Sequence, residues 1–315
     1  MSSQQHRVRI FEEGPREGFQ SEPAGIPTAS KVELIEALAE AGLTEINCCS
    51  FVNEAKVPQM ADAEALIASL HRRPGVAYNG LWLNRKGFER ALASGVDLKP
   101  TLVTSASETF GLRNNGRDRA GLLDGQRELA QAYKAADLTS AAGYVFTAFG
   151  CNYEGDVAIE QVSTSVDQLL ALAAEEGMDC PVVYLCDTIG AASPARVREL
   201  VGRVRTKWPS LEIGLHLHDT RGLGLANALA GLDLGVRRFD SSVGGLGGCP
   251  FAGNAAAAGN ICTEDLAYLC EQEGLETGIE IDKLIQCSLL AERIVGRKLP
   301  GKLKEAGRFR RSTTH

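Results

Sequence analysis

Eight short apolar segments, each followed by a longer amphipathic segment, repeat along the chain and constrain its fold more than any other feature. The short segments are rich in β-branched and aromatic residues, as buried strands are, whereas the segments between them follow the 3.6-residue period of helices. The predicted strands cover residues 8–12, 44–51, 76–83, 96–103, 143–149, 181–186, 212–218 and 237–243. Eight strand and helix units predict a (β/α)8 TIM barrel in preference to an open, doubly wound α/β sheet.

We expect a single domain over residues 1–315, because no Pro-rich or Ser-rich linker divides the chain. Two small domains would also fit the length. The barrel is predicted over about 8–262, extra C-terminal helices over about 263–300, and a polar, basic, frayed tail over 301–315. With 44% hydrophobic residues the chain can bury a full core.

The charge of the chain limits the partners that it can have. A formal net charge of −7 argues against nucleic acid or an anionic membrane surface as the main partner, since both require concentrated Lys and Arg. The sequence contains neither an apolar signal core at its N-terminus nor an apolar run of roughly 20 residues that would span a membrane. Nine cysteines without a CxxC pair favour free thiols in a reducing compartment, so we expect a soluble, cytoplasmic protein.

The segment GLHLHDT carries the most specific local pattern. His216 and His218 are two residues apart on a predicted strand, so both point to one face while Leu215 and Leu217 point to the helices. Two adjacent imidazoles at a barrel mouth favour metal ligation over a hydrogen-bonded core pair. Two histidines do not complete a site, and a hard divalent cation would also take oxygen ligands.

Polar residues follow two other predicted strands. In GPREG, Arg16 would form either a surface salt bridge or a fixed cation that faces a carboxylate or an enolate oxygen, and Glu17 is a candidate oxygen ligand. Asp187, at the end of the sixth strand, would orient a ligand or accept a proton, although it would equally cap the helix that DTIGAASPARV begins.

The glycine-rich segment SVGGLGGCPFAGN can approach a ligand closely, and it carries Cys249. The thiol would serve as an acid or base if its pKa were tuned. An ordinary flexible loop with an incidental thiol fits the segment equally well.

Five ordered motifs together resemble one known family. GPREGFQSE resembles the family's GPRDGLQNE, and SFVNEAKVPQMAD resembles SFVSPKWVPQMAD. DTIG, at residues 187–190, is the same in the family. HLHDTRG resembles HCHDTYG, and SSVGGLGGCPFA resembles SSVAGLGGCPYA. Over about residues 8–270 the chain is therefore similar to the 3-hydroxy-3-methylglutaryl-CoA lyases, which belong to the metal-dependent barrel lyases and synthases.

This resemblance implies an enzyme that binds Mg2+ or Mn2+ and cleaves a 3-hydroxyacyl-CoA, such as 3-hydroxy-3-methylglutaryl-CoA, to acetyl-CoA and a keto acid. It also suggests a homodimer. Carried over by position, the implied metal ligands are Glu17, His216, His218 and Asn260. The implied catalytic residues are Arg16, Cys249 and Asp187, and we expect Gln20, Asn47 and Ser50 to contact the acyl-CoA substrate.

Three departures from the family pattern lie at the reacting end. Glu17 stands where the family has Asp, and Asn47 stands where it has Glu, which predicts the loss of a negative charge beside Arg16. The segment before Asn260 is two residues longer, so Asn254 is an alternative ligand. These departures suggest a different acyl group. The alternative functions are a synthase that runs the reaction backwards, a metal-dependent hydrolase, and a binding protein without metal.

Overall fold

The computed structural model describes residues 6–248 and 258–309, and eight strands lie within them. They are β1 Arg9–Glu12, β2 Glu45–Ser50, β3 Ala77–Leu81, β4 Thr101–Ser105, β5 Ala142–Phe146, β6 Val182–Asp187, β7 Glu212–Leu217 and β8 Arg238–Ser241. Cys249 and Asn254 lie outside the described residues.

All eight strands are parallel and belong to one sheet in the order β3-β2-β1-β8-β7-β6-β5-β4. The first strand of the chain, β1, and the last, β8, are therefore neighbours within the sheet. A parallel bridge between Asn79 and Asp97 brings the segment before β4 against β3. The predicted TIM barrel is confirmed, and the carboxyl ends of all its strands meet at one mouth.

Eleven helices follow or flank the strands within the described residues. They are α1 Thr28–Glu40, α2 Ala63–Ser69, α3 Arg85–Ser94, α4 Glu108–Asn115, α5 Arg119–Ala135, α6 Ile159–Glu175, α7 Pro194–Lys207, α8 Gly224–Asp233, α9 Thr263–Gln272, α10 Ile281–Val295 and α11 Leu303–Ala306. In α1, Leu34, Ile35, Leu38 and Ala39 form a buried apolar stripe, and Gly42 has the positive φ of 98° expected just after a helix end. None of these helices combines the length and the apolar character that a membrane span requires.

The two faces of each strand contribute to different clusters. Val183 and Leu185 belong to the main core between sheet and helices, whereas Val182, Tyr184 and Cys186 belong to a separate cluster on the inner face. There the rings of Tyr184 and Tyr144 stack with centroids 4.5 Å apart. The barrel interior is thus filled with side chains, and the space for chemistry lies above this layer, at the mouth.

Two predicted boundaries differ from the structure. The fourth strand was predicted over 96–103, but β4 begins at Thr101, because Pro100 has no N–H to donate to the sheet. The tail was expected to fray from 301, yet residues 303–306 form α11. The Asp265 carboxylate accepts hydrogen bonds from the backbone N–H groups of Lys302 and Leu303, which anchors this helix.

Candidate metal centre at the barrel mouth

Glu17 lies in a π-helical turn, Gly14–Gly18, directly after β1. The turn is anchored by buried Glu12, whose carboxylate accepts hydrogen bonds from the N–H groups of Gly14 (2.7 Å) and Val243 (2.8 Å). Residue 14 must be glycine, because a Cβ there would lie 2.6 Å from Glu12 Oε1. The short strand and this anchored turn fix Glu17 at the mouth.

The two histidines reach the same place from β7. His216 lies on the inner face and His218 follows two residues later, while Leu215 and Leu217 are buried in the main core as the alternation predicts. The Nε2 atoms of the two imidazoles are 3.3 Å apart. Glu17 Oε1 lies 3.6 Å from His218 Nε2 and 4.0 Å from His216 Nε2.

Glu17, His216 and His218 form a possible metal-binding group, in which one ligand atom from each residue lies within 4.8 Å of the others. Burial alone would raise the pKa of Glu17, but Arg16 and the two imidazoles outweigh burial and hold that pKa well below its usual range. Glu17 is therefore a carboxylate at neutral pH, the form that binds a cation.

Asn260 completes the cluster from the other side of the mouth. Its Nδ2 atom donates to Glu17 Oε1 at 3.0 Å, and its backbone bridges to His218. Its Oδ1 atom is buried and has no hydrogen-bond partner in the described structure. A buried acceptor without a donor is costly, so this oxygen fits a cation at the cluster.

Asp240 orients His216, and sequence reasoning missed it. His216 Nδ1 lies 3.0 Å from Asp240 Oδ2, and the two residues are direct partners in the β7–β8 register. Burial would lower the pKa of His216, but the hydrogen bond to Asp240 and the charge of Glu17 outweigh it, and the pKa is raised. The available signal was a lone Asp inside the predicted strand RRFDSSV.

Glu13 was also missed, and it is a second carboxylate beside Arg16. The Arg16 guanidinium pairs with the Glu13 carboxylate and, at 3.0 Å, with Glu17. The Asn47 Nδ2 atom lies 3.1 Å and 3.3 Å from the two Glu13 oxygens. Asn47 brings no charge to this place, but residue 13 supplies a carboxylate beside Arg16.

Asp187 does not cap the helix that follows it. Its Oδ1 atom accepts hydrogen bonds from the N–H groups of Ala191 (2.7 Å) and Ala192 (3.1 Å), whereas Ser193 caps α7. The cap interpretation is wrong, since Asp187 folds the loop before the helix. Its Oδ2 atom is buried and has no partner in the described structure.

The three residues expected to contact the substrate, Gln20, Asn47 and Ser50, take part in two different hydrogen bonds. Ser50 Oγ donates to Gln20 Oε1 at 3.2 Å, whereas Asn47 binds Glu13. Cys249 and Asn254 lie outside the described residues. Asn260, the other candidate asparagine ligand, lies against Glu17.

The structure defines the protein as a TIM-barrel protein with a possible metal-binding site at the barrel mouth. The particular family follows from comparison with known proteins. The chain belongs to the HMGL-like family, whose model matches residues 7–290. This confirms the family that the sequence motifs indicated.

Named relatives of the chain are hydroxymethylglutaryl-CoA lyases, which are carbon–carbon lyases. The Bacillus subtilis enzyme YngG is 38% identical over 296 residues, which cover 94% of this chain and 96% of the relative. The mitochondrial enzyme of Rattus norvegicus is 38% identical over 300 residues, covering 95% and 89%.

Solved structures of such lyases share the whole architecture. The Bacillus subtilis HMG-CoA lyase has a TM-score of 0.88 and 37% identity, covering 96% of this chain and 98% of that one. An HMG-CoA lyase from Acinetobacter baumannii, in complex with coenzyme A and 3-methylmalate, has a TM-score of 0.87 and 38% identity, covering 98% and 97%.

Proposed function

We propose that this protein cleaves a 3-hydroxyacyl-CoA, such as 3-hydroxy-3-methylglutaryl-CoA, to acetyl-CoA and a keto acid with the aid of Mg2+ or Mn2+. The observation that carries the proposal is the convergence of Glu17, His216, His218 and the unpartnered Asn260 oxygen at the barrel mouth. The names of the relatives and the coenzyme A complex of one of them support the substrate class.

In this proposal Glu17, His216, His218 and Asn260 hold the cation. When bound, the cation supplies a Lewis acid that makes the substrate's 3-hydroxyl group more acidic. The chain's own contribution is to preorganise the site: Asp240 fixes the orientation of the His216 ring. Asn260 in turn holds the Glu17 carboxylate by a hydrogen bond.

Arg16 is proposed to stabilise the charge that develops during cleavage. As the 3-hydroxyl loses its proton and becomes a carbonyl, the C2–C3 electron pair moves to C2 and is shared with the thioester oxygen. The Arg16 side chain is largely buried, and its Nε atom has no hydrogen-bond partner in the described structure. That donor suits the enolate oxygen.

Proton transfer is assigned to two groups. Asp187 has one carboxylate oxygen without a hydrogen-bond partner in the described structure. Burial raises the pKa of Asp187, and His218 partly offsets this rise. A raised pKa suits a carboxyl group that accepts and releases a proton during the reaction. Cys249, on the glycine-rich segment, is proposed to protonate the C2 carbanion, which completes the atom balance of acetyl-CoA.

Gln20, Asn47 and Ser50 are proposed to bind the acyl part of the substrate. Glu17 has one methylene more than the family's Asp, and we propose that it favours an acyl group different from 3-hydroxy-3-methylglutaryl.

We also propose a single-domain, cytoplasmic homodimer. Sedimentation equilibrium measures the dimer, and a single cooperative melting transition is expected for one domain.

The decisive experiment is a panel of 3-hydroxyacyl-CoA thioesters, assayed for acetyl-CoA release with Mg2+ or Mn2+. Release of acetyl-CoA and a keto acid supports the lyase. Full-rate cleavage of 3-hydroxy-3-methylglutaryl-CoA alone would sink the altered-acyl hypothesis. Free acid and CoA without carbon–carbon cleavage would indicate the hydrolase. An equilibrium that favours condensation, measured with both product pairs, would indicate the synthase.

A further inference from the structure

We propose that Glu13 is a positioning residue of this site: it holds the Arg16 guanidinium beside Glu17, and Asn47 holds Glu13 in turn. The inference rests on the proposed function for its catalytic consequence, but not for its effect on metal binding.

Arg16 is held between two carboxylates. Its Nη2 atom contacts Glu13 Oε2 and lies 3.0 Å from Glu17 Oε2. Glu13 is 3% exposed, so its charge is little screened by water. Burial raises the pKa of Glu13 to about 7, and the adjacent Arg16 guanidinium opposes that rise and favours the ionised form. The guanidinium is therefore shared, and Glu17 does not have to neutralise it alone.

Asn47 holds Glu13 in place. Its Nδ2 atom lies within 3.3 Å of both Glu13 oxygens, and the β1–β2 register that pairs Glu12 with Ile46 brings residues 13 and 47 side by side. The Glu13 N–H also donates to the Ser241 carbonyl at 2.8 Å on the other neighbouring strand. Glu13 is thus fixed by backbone and side chain together.

A carboxylate at 47 beside Glu13 would place two negative charges within hydrogen-bond distance and would repel. An amide at 47 instead donates to the carboxylate at 13. The pair therefore supplies one carboxylate to Arg16, with the acid on the β1 side and its amide partner on β2. Residues 13 and 47 are therefore expected to be coupled.

Neutralising Glu13 has a defined consequence at the metal cluster. Arg16 would then rely on Glu17 as its carboxylate partner and would draw that oxygen away from a cation. The uncompensated positive charge would also repel the cation directly. Both effects weaken metal binding, and the displaced guanidinium lowers kcat more than it raises KM.

The test uses Glu13→Gln, Asn47→Glu and the double variant Glu13→Gln/Asn47→Glu, with exposed Glu128→Gln as the control. Mn2+ affinity is measured by calorimetry on the metal-free protein, and kcat and KM with the best thioester of the panel. We expect Glu13→Gln to weaken Mn2+ binding at least about 10-fold, in the range seen for partners of metal ligands. Asn47→Glu adds an acid instead of removing one, so it should weaken Mn2+ binding less than Glu13→Gln does.

The double variant, which exchanges acid and amide, is expected to recover Mn2+ affinity and kcat to within about 3-fold of the original protein, because interacting sites are not additive. Unchanged Mn2+ affinity in Glu13→Gln, or a double variant as weak as the worse single one, overturns the proposal. If Glu13→Gln does not fold, Asn47→Glu and the double variant still decide it. Failure of every thioester sinks the proposed function but leaves the Mn2+ comparison valid.

Discussion

The His216 Nδ1 atom donates a hydrogen bond to the Asp240 carboxylate, 3.0 Å away across the β7–β8 pair. A carboxylate acceptor at Nδ1 fixes the proton on that nitrogen and leaves the Nε2 lone pair for the cluster with Glu17 and His218. The orientation of one ligand therefore depends on a residue that itself lies outside the cluster.

Asp240→Asn is expected to weaken Mn2+ affinity about 10- to 100-fold, because the carboxamide still accepts the Nδ1 proton but no longer increases the basicity of the imidazole. Titration of metal-free protein measures the effect. The control is Asp167→Asn, which removes an exposed carboxylate paired with Lys207. An Asp240→Asn protein that binds Mn2+ like the control contradicts this role.

Removal of the metal with EDTA is expected to abolish cleavage, and added Mg2+ or Mn2+ should restore it. His216→Ala should not be restored, since an imidazole ligand is missing. Because the hydrogen bond to Asp240 and the charge of Glu17 raise the pKa of His216, protons compete with the cation for this imidazole, and the apparent metal affinity should fall as the pH is lowered. Full activity in EDTA would remove the metal from the mechanism.

The sequence was sufficient for the parts of the site that are local in the chain. The alternation that buries Leu215 and Leu217 also turns His216 and His218 into the mouth, and strand endings placed Glu17 there. These inferences need only the period of a strand and the geometry of a barrel.

The missed residues depend on neighbours that are distant in sequence. Asp240 acts through His216 on the adjacent strand, and Glu13 is held in place by Asn47, 34 residues away. Both resemble ordinary buried acids until the strand register is known. The change inferred at Asn47 could not reveal Glu13 for the same reason, because a single position does not show which charged neighbours surround it.

Gly214→Ala is expected to destabilise the barrel interior by about 1–3 kcal/mol. A Cβ at residue 214 would lie 2.5 Å from the Tyr184 ring, and that ring is stacked on Tyr144 and cannot retreat. Urea denaturation measures the change. The control is Gly202→Ala in α7, where a Cβ meets no atom within 4 Å and should stabilise the helix by about 0.5–1 kcal/mol. Equal stabilities of the two variants would contradict the packing argument.

Buried Glu264 should make stability fall as the pH rises. Burial raises its pKa from 4.5 to about 7, although hydrogen bonds from Gly244 N–H and Ser288 Oγ oppose this. Between these two values the folded protein binds more protons than the unfolded chain. The contribution of Glu264 to the free energy of unfolding is therefore fully present below pH 4.5 and is lost as the pH rises to about 7. The rise of the pKa from 4.5 to about 7 corresponds to roughly 3 kcal/mol of stability.

Glu264→Gln should flatten this part of the pH profile, because the amide does not ionise. The Ser288 hydroxyl can turn to accept from the new NH2 group, so both hydrogen bonds can be kept. The measurement is the free energy of unfolding in urea at pH 5 and pH 7.5 for the original protein, Glu264→Gln and the exposed control Glu128→Gln. The loss of stability between the two pH values should be smaller in Glu264→Gln than in the control. A loss as large as in the original protein would mean that Glu264 is already ionised in the fold at pH 5.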